Sequence, residues 1–224
     1  RQVRPIAETD FTRAEGPSAV DPQALATYTY EDMHRVVLVD GFFSDEHSEI
    51  GDLPDGTFVG GLARALDERP ELVLPHLGRY ADIEKHPFAA LNSAFLADGA
   101  FVWVPPGAVI EEPIQLLYVT TGGADEAPVS CFPRNLVVAE ENSQVLLVEN
   151  YATLGGGTPF TCAVTEMQAE PAAVVDHYKV QQESAEAFDV ALFQIHQERS
   201  SNVRSHTVTT VSYTHLTLPT KRIV

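Results

Sequence analysis

The chain has 224 residues, of which 44% are hydrophobic and 21% are charged, so it can build a core and does not have the composition of a disordered protein. Its formal net charge of −18 argues against binding to nucleic-acid phosphates, and no basic patch offsets that charge. Two cysteines are too few for a disulfide-dense secreted scaffold. Because neither a bilayer-spanning run nor a signal peptide is evident, we predict a cytoplasmic protein.

The first 99 residues are predicted to form a small mixed α/β region. Residues 1–34 show little periodicity and are expected to be irregular or peripheral. Residues 35–41 (RVVLVDG) predict a strand that ends in an Asp-Gly turn. Residues 45–57 are polar, contain glycine and proline, and predict a loop.

Helical spacing appears in two later stretches of this region. Leucines recur on one side of residues 58–77, and Pro70 is expected to divide that stretch into two short helices. A further helix is predicted to begin at Pro87 and to end before Asp98-Gly99. Its apolar stripe is predicted to consist of Phe88, Leu91 and Phe95.

From Ala100 onward the sequence predicts strands, because β-branched and apolar runs alternate with polar turns. Four similar segments begin 29 residues apart, at 112–116, 141–145, 170–174 and 199–203. Their shared apolar column is Leu116, Val145, Val174 and Val203. A fixed period with one apolar column favours a parallel β-helix over residues 100–210, whereas a β-sandwich needs no such period.

No catalytic motif is evident. The clusters Gly122-Gly123 and 155–157 lack the Lys-Ser/Thr of a phosphate loop and predict turns, and no nucleophile elbow is present. Cys131 and Cys162 lack zinc-ligand spacing. Lying 31 residues apart, they could occupy neighbouring coils as a cluster-binding pair or serve as small buried hydrophobes, and the second alternative is favoured.

His177 and His206 are separated by 29 residues, so they are expected to stack on adjacent coils. With Val145 inward, strand alternation predicts that both point outward. Such a pair is either a metal site or a polar exterior, and the exterior is favoured because no thiol or carboxylate supports the pair. Asp176 would point inward by the same alternation unless a bulge reverses it. We therefore predict no catalytic residue and no metal ligand, and assign no cofactor-binding residue.

Both ends of the sequence are expected to be incomplete or non-native. The first methionine is Met33, and no acidic residue follows Glu198. Residues 211–224 resemble a translated sequencing-adapter read-through. This tail is expected to be non-native and takes no part in the predicted fold.

Several motifs together resemble the SufB/SufD family over residues 1–210. They are ALNSAFLADGAFVWVPPG at 90–107, EPIQL at 112–116, PRNL at 133–136 with ENS at 141–143, AVTE at 163–166, and DHYK at 176–179. Within that family the EPIQL, RNL and DHYK segments look more like SufD than SufB.

The resemblance implies a right-handed parallel β-helix and a non-catalytic scaffold subunit for iron–sulfur cluster assembly. It also implies pairing with a SufB-like subunit through the β-helix, and with a SufC-like ATPase through a C-terminal domain that this sequence is expected to lack. No resident cofactor is expected, and a transient iron–sulfur cluster belongs to the whole complex. None of Cys131, Cys162, His177 and His206 matches the family's cluster positions.

Two alternatives remain open at this point. The chain could be a SufB-type paralogue that serves the same complex. It could instead be a β-helical enzyme acting on polysaccharides, although the predicted coils carry few of the basic residues that such a groove uses: Arg134, Lys179, Arg199 and Arg204.

Overall fold

Two mainly parallel sheets face each other, and the chain winds between them in successive coils. The structure is a computed structural model that describes residues 3–122 and 128–210 and the backbone of 220–223. It is a parallel β-solenoid of about three turns with a small α/β region at its start, which confirms the predicted fold class. In the part of the chain that is described, no helix is long and apolar enough to cross a membrane.

Short elements make up the first 99 residues. The helices are α1 Arg4–Glu8, α2 Pro22–Leu25, α3 Leu62–Glu68, α4 Pro70–Val73 and α5 Pro87–Ala94. The strands are β1 Thr12–Arg13, β2 His34–Val39, β3 Phe42–Phe43 and β4 Phe58–Gly61. This region extends both sheets, because β2 pairs in parallel with a strand of the β-helix and β4 pairs antiparallel with another.

The β-helix follows. Its strands are β5 Ala100–Val104, β6 Ile114–Thr121, β7 Val129–Cys131, β8 Arg134–Ala139, β9 Gln144–Leu154, β10 Phe160–Ala169, β11 Val174–Gln182, β12 Phe188–Gln197, β13 Asn202–Thr209 and β14 Thr220–Ile223. The first sheet contains β5, β7, β8, β10, β12 and β14. The second sheet contains β6, β9, β11 and β13, with β2 beside β6. Residues 211–224, predicted to be non-native, lie outside the described residues except for the backbone of β14.

Most of the early predictions match these elements. The strand at 35–41 is confirmed, and its turn uses the left-handed conformation at Asp40 (φ 51°) and Gly41 (φ 88°). The loop over 45–57 and the division of two helices at Pro70 are also confirmed. Helix was wrongly predicted from residue 58, because residues 58–61 form β4. Gly61 of this strand lets the backbone pass close to the side chain of Phe43.

The helix at Pro87 is confirmed, but its predicted apolar stripe is wrong. Ala89 and Asn92 are buried, whereas Phe88 and Leu91 are only half-buried and Phe95 is exposed. The small Ala89 allows close approach to the sheet. Asn92 Nδ2 donates to the carbonyl oxygens of Pro133 and Cys162, each at 2.9 Å. These hydrogen bonds from Asn92 to backbone carbonyl oxygens therefore determine which face of α5 is buried.

A tight turn recurs in three successive coils. Residues Asn142, Ala172 and Ser200 all have left-handed backbone, with φ of 59°, 59° and 63°. The three turns begin at Glu140, Glu170 and Glu198, and each closes with a hydrogen bond from the amide three residues later to the glutamate carbonyl oxygen. These turns stack along one corner of the β-helix. They are the structural feature behind the repeated segments of the sequence.

The intervals between coils are unequal, which corrects the predicted constant period of 29. Register partners are 33 residues apart between β6 and β9, 30 between β8 and β10, and 28 between β11 and β13. Val145 therefore lies beside Val175, which lies beside Val203, and Val174 lies beside Gln144. Leu116 lies beside Glu149. The predicted apolar column was wrong because the corners differ in length.

The interior is apolar on one side of the coils. Aliphatic residues from both sheets and from β2 form one continuous cluster, which includes Val36, Ile114, Val137, Leu147, Met167 and Val175. All six have 1% or less of their surface exposed, so burial of aliphatic surface stabilises coil stacking along this side. The other side of the interior is polar and is described below.

A buried ion pair fastens the helical region to the β-helix. Arg134 of β8 donates to Glu166 Oε2 of β10 through Nη2 at 2.7 Å and Nε at 3.1 Å, and the two side chains are 2% and 0% exposed. Glu166 also accepts backbone N–H groups of Gly78, Tyr80 and Ala81 at 2.7–2.8 Å. Arg134 Nη1 donates to Asn92 of α5 at 3.2 Å. Every donor around Glu166 comes from a different coil or from the N-terminal region.

The left-handed turns predict a pair of opposite stability changes. Asparagine tolerates left-handed backbone better than alanine, whose Cβ crowds the carbonyl there. We expect Ala172→Asn to raise the free energy of unfolding by about 1 kcal/mol and Asn142→Ala to lower it by about 1 kcal/mol. Urea unfolding followed by circular dichroism measures both, and equal effects of the same sign would contradict this account.

The Arg134–Glu166 pair predicts a large loss of stability when half of it is removed. Glu166→Gln leaves the Arg134 guanidinium buried without its counter-ion and should cost about 3–5 kcal/mol. The single tryptophan, Trp103, packs between the helices and the sheet, so its fluorescence reports this loss during urea unfolding.

The double variant Arg134→Met/Glu166→Gln should be less destabilised than Glu166→Gln, because it leaves no unpaired charge. The exposed pair between Arg64 and Glu68 provides the matched control. Arg64→Ala should change stability by less than about 0.5 kcal/mol. Additive losses in the double variant would contradict a buried-charge origin.

Candidate functional site

Ionisable and polar side chains fill one side of the β-helix interior. They come from inward-facing positions of β9, β10, β11 and β12 and from the corner directly after β11. The members of this interior polar cluster are Glu149, Tyr151, Thr161, Thr165, His177, Lys179, Gln181, Glu183 and Asp189. Glu149 lies in register with Lys179, and Tyr151 with Gln181. Strand alternation explains the arrangement, since each residue lies an even number of positions from an inward neighbour on its strand.

Glu149 is the most enclosed carboxylate of the cluster, with 4% of its side chain exposed. Thr165 Oγ1 donates to Glu149 Oε1 at 3.0 Å, and Tyr151 Oη donates to Oε2 at 3.1 Å. The ring of Tyr151 stacks on Tyr118 of the preceding coil with centroids 4.5 Å apart. These contacts hold the carboxylate in one orientation, and they couple three successive coils.

His177 continues this arrangement toward the next coil. Its Nε2 lies 3.4 Å from Glu149 Oε1, and its Nδ1 lies 2.9 Å from the hydroxyl oxygen of Ser205. The imidazole also stacks on Phe193, with ring centroids 4.4 Å apart. Nε2 makes no hydrogen bond within the described residues, so its approach to Glu149 is electrostatic.

A chain of polar contacts therefore runs parallel to the axis of the β-helix. Asn135 Nδ2 donates to Thr165 Oγ1 at 3.0 Å, and Asn135 Oδ1 accepts the backbone N–H of Ala100 at 3.2 Å. With Glu149, His177 and Ser205 the chain extends from β5 to β13. Each strand along this line supplies one side chain or backbone group. This series of polar contacts therefore fixes the register of the coils relative to one another.

Lys179 occupies the centre of the polar side. Its Nζ lies 3.2 Å from Asp189 Oδ2 and 4.4 Å from the centroid of the Tyr151 ring. Gln181 Nε2 donates both to Asp189 Oδ2 at 3.0 Å and to Glu183 Oε2 at 2.8 Å. One amide nitrogen therefore bridges two carboxylates.

The pKa values of this cluster follow from burial opposed by charge. Burial raises the pKa of Glu149, but the nearby imidazole of His177, together with Lys179 and the hydroxyl of Thr165, outweighs burial and lowers the pKa below its ordinary value. Burial lowers the pKa of Lys179, and the carboxylates of Asp189, Glu149 and Glu183 outweigh that effect and raise it. Both residues are therefore charged at neutral pH inside the β-helix.

The two cysteines lie on neighbouring strands but not as a pair. Cys131 is in register with Thr161, and its Sγ lies 3.5 Å from the Thr161 hydroxyl inside the β-helix. Cys162 is the next residue of β10, so it faces the opposite side, where its Sγ contacts the carbonyl oxygen of Phe88 at 3.5 Å. Burial raises the pKa of Cys131 far above its ordinary value and that of Cys162 to about 12. Both groups are therefore thiols at neutral pH.

The two histidines do not stack, which corrects the sequence prediction. The interval between β11 and β13 is 28 residues, so His177 lies beside Ser205 and His206 lies beside Tyr178. His177 points inward and is buried, whereas His206 is exposed and stacks on the Tyr178 ring at 5.4 Å. The predicted outward orientation of His177 was wrong because Val175, not Val174, is the inward residue.

Asp176 points outward, contrary to the direction given by the alternation. It forms an ion pair with Arg204 of the neighbouring strand at 2.7 Å. No bulge is needed to explain this orientation, because the 30-residue interval between β9 and β11 places Val175 inward and Asp176 outward.

The interior polar cluster escaped the sequence analysis, although a signal for it exists. Once Val175 is known to face inward, the alternate positions 177, 179, 181 and 183 are all polar. That pattern becomes visible only with the correct interval between coils. Across the ranges 3–122 and 128–210, no group of three or more His, Cys, Asp or Glu side chains could hold a metal ion.

Two family models match almost all of the chain. The model described as the SufBD protein N-terminal region matches residues 4–116, and the model described as the SUF system FeS cluster assembly, SufBD core domain, matches residues 119–221.

Individual relatives agree with these models. An iron–sulfur cluster assembly SufBD family protein of Synechocystis sp. is 30% identical over 205 residues, which cover 87% of this chain and 44% of the relative. Protein ABCI7, chloroplastic, of Arabidopsis thaliana is 28% identical over 80% of this chain and 38% of the relative. The iron–sulfur cluster assembly protein SufD of Bacillus subtilis is 36% identical over 31% of this chain and 15% of the relative.

The chain thus spans less than half the length of these curated relatives. The N-terminal model ends at residue 116 and the core model begins at residue 119, so the two models meet within β6. The parallel β-helix and the two consecutive models together lead to one conclusion, that the chain belongs to the SufBD family of iron–sulfur cluster assembly proteins.

Proposed function

We propose that this protein is a non-catalytic scaffold subunit of a SufBCD-type complex, in which it acts with a SufB-like subunit and a SufC-like ATPase to assemble iron–sulfur clusters. The observation that carries the proposal is the match of both SufBD models over residues 4–221. The sequence similarity to SufD of Bacillus subtilis, and the SufD-like motifs at 112–116 and 176–179, favour the SufD role over the SufB role. The proposed location is the cytoplasm.

The chemistry of the described residues supports a scaffold rather than an enzyme. The inward carboxylates and Lys179 are bound to one another and not presented to an open cleft. Cys131 and Cys162 are buried thiols with raised pKa values, which makes them weak nucleophiles and weak cluster ligands near neutral pH. Cluster chemistry is therefore assigned to the partner or to the assembled complex.

The proposal predicts selective complex formation. Affinity-tagged chain should co-purify with a SufB-like protein from the same source and elute with it in one peak during size-exclusion chromatography with light scattering. A SufC-like ATPase should be retained together with them when the SufB-like protein is present. Ternary retention should require the SufB-like protein.

A surface variant identifies which part of the chain makes the contact. Ile83 is 52% exposed in the N-terminal region. Ile83→Asp should leave binding unchanged if the β-helix makes the contact. Separate elution of the chain and the SufB-like protein would contradict the proposed function, and loss of binding in Ile83→Asp would contradict assignment of the contact to the β-helix.

A further inference from the structure

Two carboxylates share one donor at the corner after β11. Glu183 Oε2 and Asp189 Oδ2 both accept from Gln181 Nε2, at 2.8 Å and 3.0 Å. Among the described residues, Glu183 Oε1 has only a long contact of 3.4 Å with the Thr161 hydroxyl, and Asp189 Oδ2 also accepts from Lys179 Nζ at 3.2 Å. Asp189 Oδ1 is buried and has no hydrogen-bond partner among the residues that the structure describes. The two acidic groups therefore have fewer donors than two full carboxylates require.

The charges inside this part of the β-helix do not balance. Lys179 is the only cation of the interior polar cluster within the described ranges, and its Nζ faces the three carboxylates of Glu149, Glu183 and Asp189. His177 adds positive charge only when it is protonated, and it faces Glu149. With every carboxylate ionised the cluster would hold an excess of buried negative charge, which is unfavourable in a low-dielectric interior.

We infer that the Glu183–Asp189 pair binds one proton in the folded protein. This proton stabilises the closed conformation of the corner between β11 and β12, which is formed by residues 183–187. A proton on one carboxylate supplies the missing donor and removes one negative charge. Loss of the proton places two like charges beside Gln181 and loosens the corner formed by residues 183–187.

The groups that face Glu183 come from four elements. Lys179 of β11 and Asp189 of β12 are the charged neighbours. Cys131 of β7 is a neutral thiol, and Thr161 of β10 does not ionise. Burial, followed by the charge of Asp189, raises the pKa of Glu183 to about 7, which agrees with proton binding near neutral pH.

The direction of the pH effect follows from this raised value. Glu183 binds the proton more tightly in the folded state than in the unfolded chain, so the bound proton stabilises the folded state. This stabilisation is complete below about pH 4.5 and is lost as the pH rises to about 7. The open form of the corner should therefore become more populated between pH 5 and pH 8. The equilibrium constant for opening of the corner should increase about tenfold to a hundredfold over this pH range.

Hydrogen exchange tests the inference on the full chain. Amide protection of residues 183–191, corrected for the intrinsic pH dependence of exchange, should fall tenfold to a hundredfold from pH 5 to pH 8. Glu183→Gln keeps the shape and removes the ionisation, so its corrected protection should be independent of pH. The exposed Glu141 offers a matched control, and Glu141→Gln should retain the profile of the unaltered protein.

A direct titration keeps the test valid if Glu183→Gln folds poorly. Carbon-13 NMR of the glutamate carboxyl carbons should show one group in the unaltered protein with an apparent pKa near 7. Parallel protection profiles in the unaltered protein and Glu183→Gln would overturn the inference. The absence of any glutamate or aspartate carboxyl that titrates above pH 6 would also overturn it.

Discussion

The buried pair of Arg134 and Glu166 joins two neighbouring coils to the helical region that precedes them. Removing both groups from water is costly, and the pair is stable here because almost every donor and acceptor finds a partner. Glu166 accepts from three backbone amides of residues 78–81 as well as from the guanidinium. The N-terminal region is thus held at a fixed position against β8 and β10, and the coils behind them keep the register on which the interior depends.

The interior is divided into an apolar side and a polar side. Aliphatic stacking tolerates small shifts between coils, because burial of apolar surface has no direction. The polar side does not tolerate such shifts. Its side chains Glu149, Thr165 and His177 contact one another only when β9, β10 and β11 are in one register. Hydrophobic burial therefore supplies most of the stability of the β-helix, and the interior polar cluster supplies specificity for a single arrangement of its coils.

The sequence predicted the architecture well and the interior poorly. Strand composition, the Asp40-Gly41 turn and the recurring corner turns are local signals, so they can be read from neighbouring residues. Inward and outward positions depend on the interval between coils, and an error of one residue exchanges them, as it did for Val174 and His177. The buried face of α5 was missed for another reason: Asn92 is buried by its hydrogen bonds to backbone, which a hydrophobic pattern does not report.

The corners between strands absorb differences in chain length. Gly155, Gly156 and Gly157 all have left-handed backbone, and a side chain on Gly155 would lie 2.9 Å from the carbonyl oxygen of Gly122. Coil intervals of 33, 30 and 28 residues nevertheless leave the strands paired. Insertions and deletions in related genes can therefore accumulate at such corners without moving any inward side chain. Alignments of this family are best built with gaps confined to the corners, because a gap inside a strand would exchange core and surface along the rest of that strand.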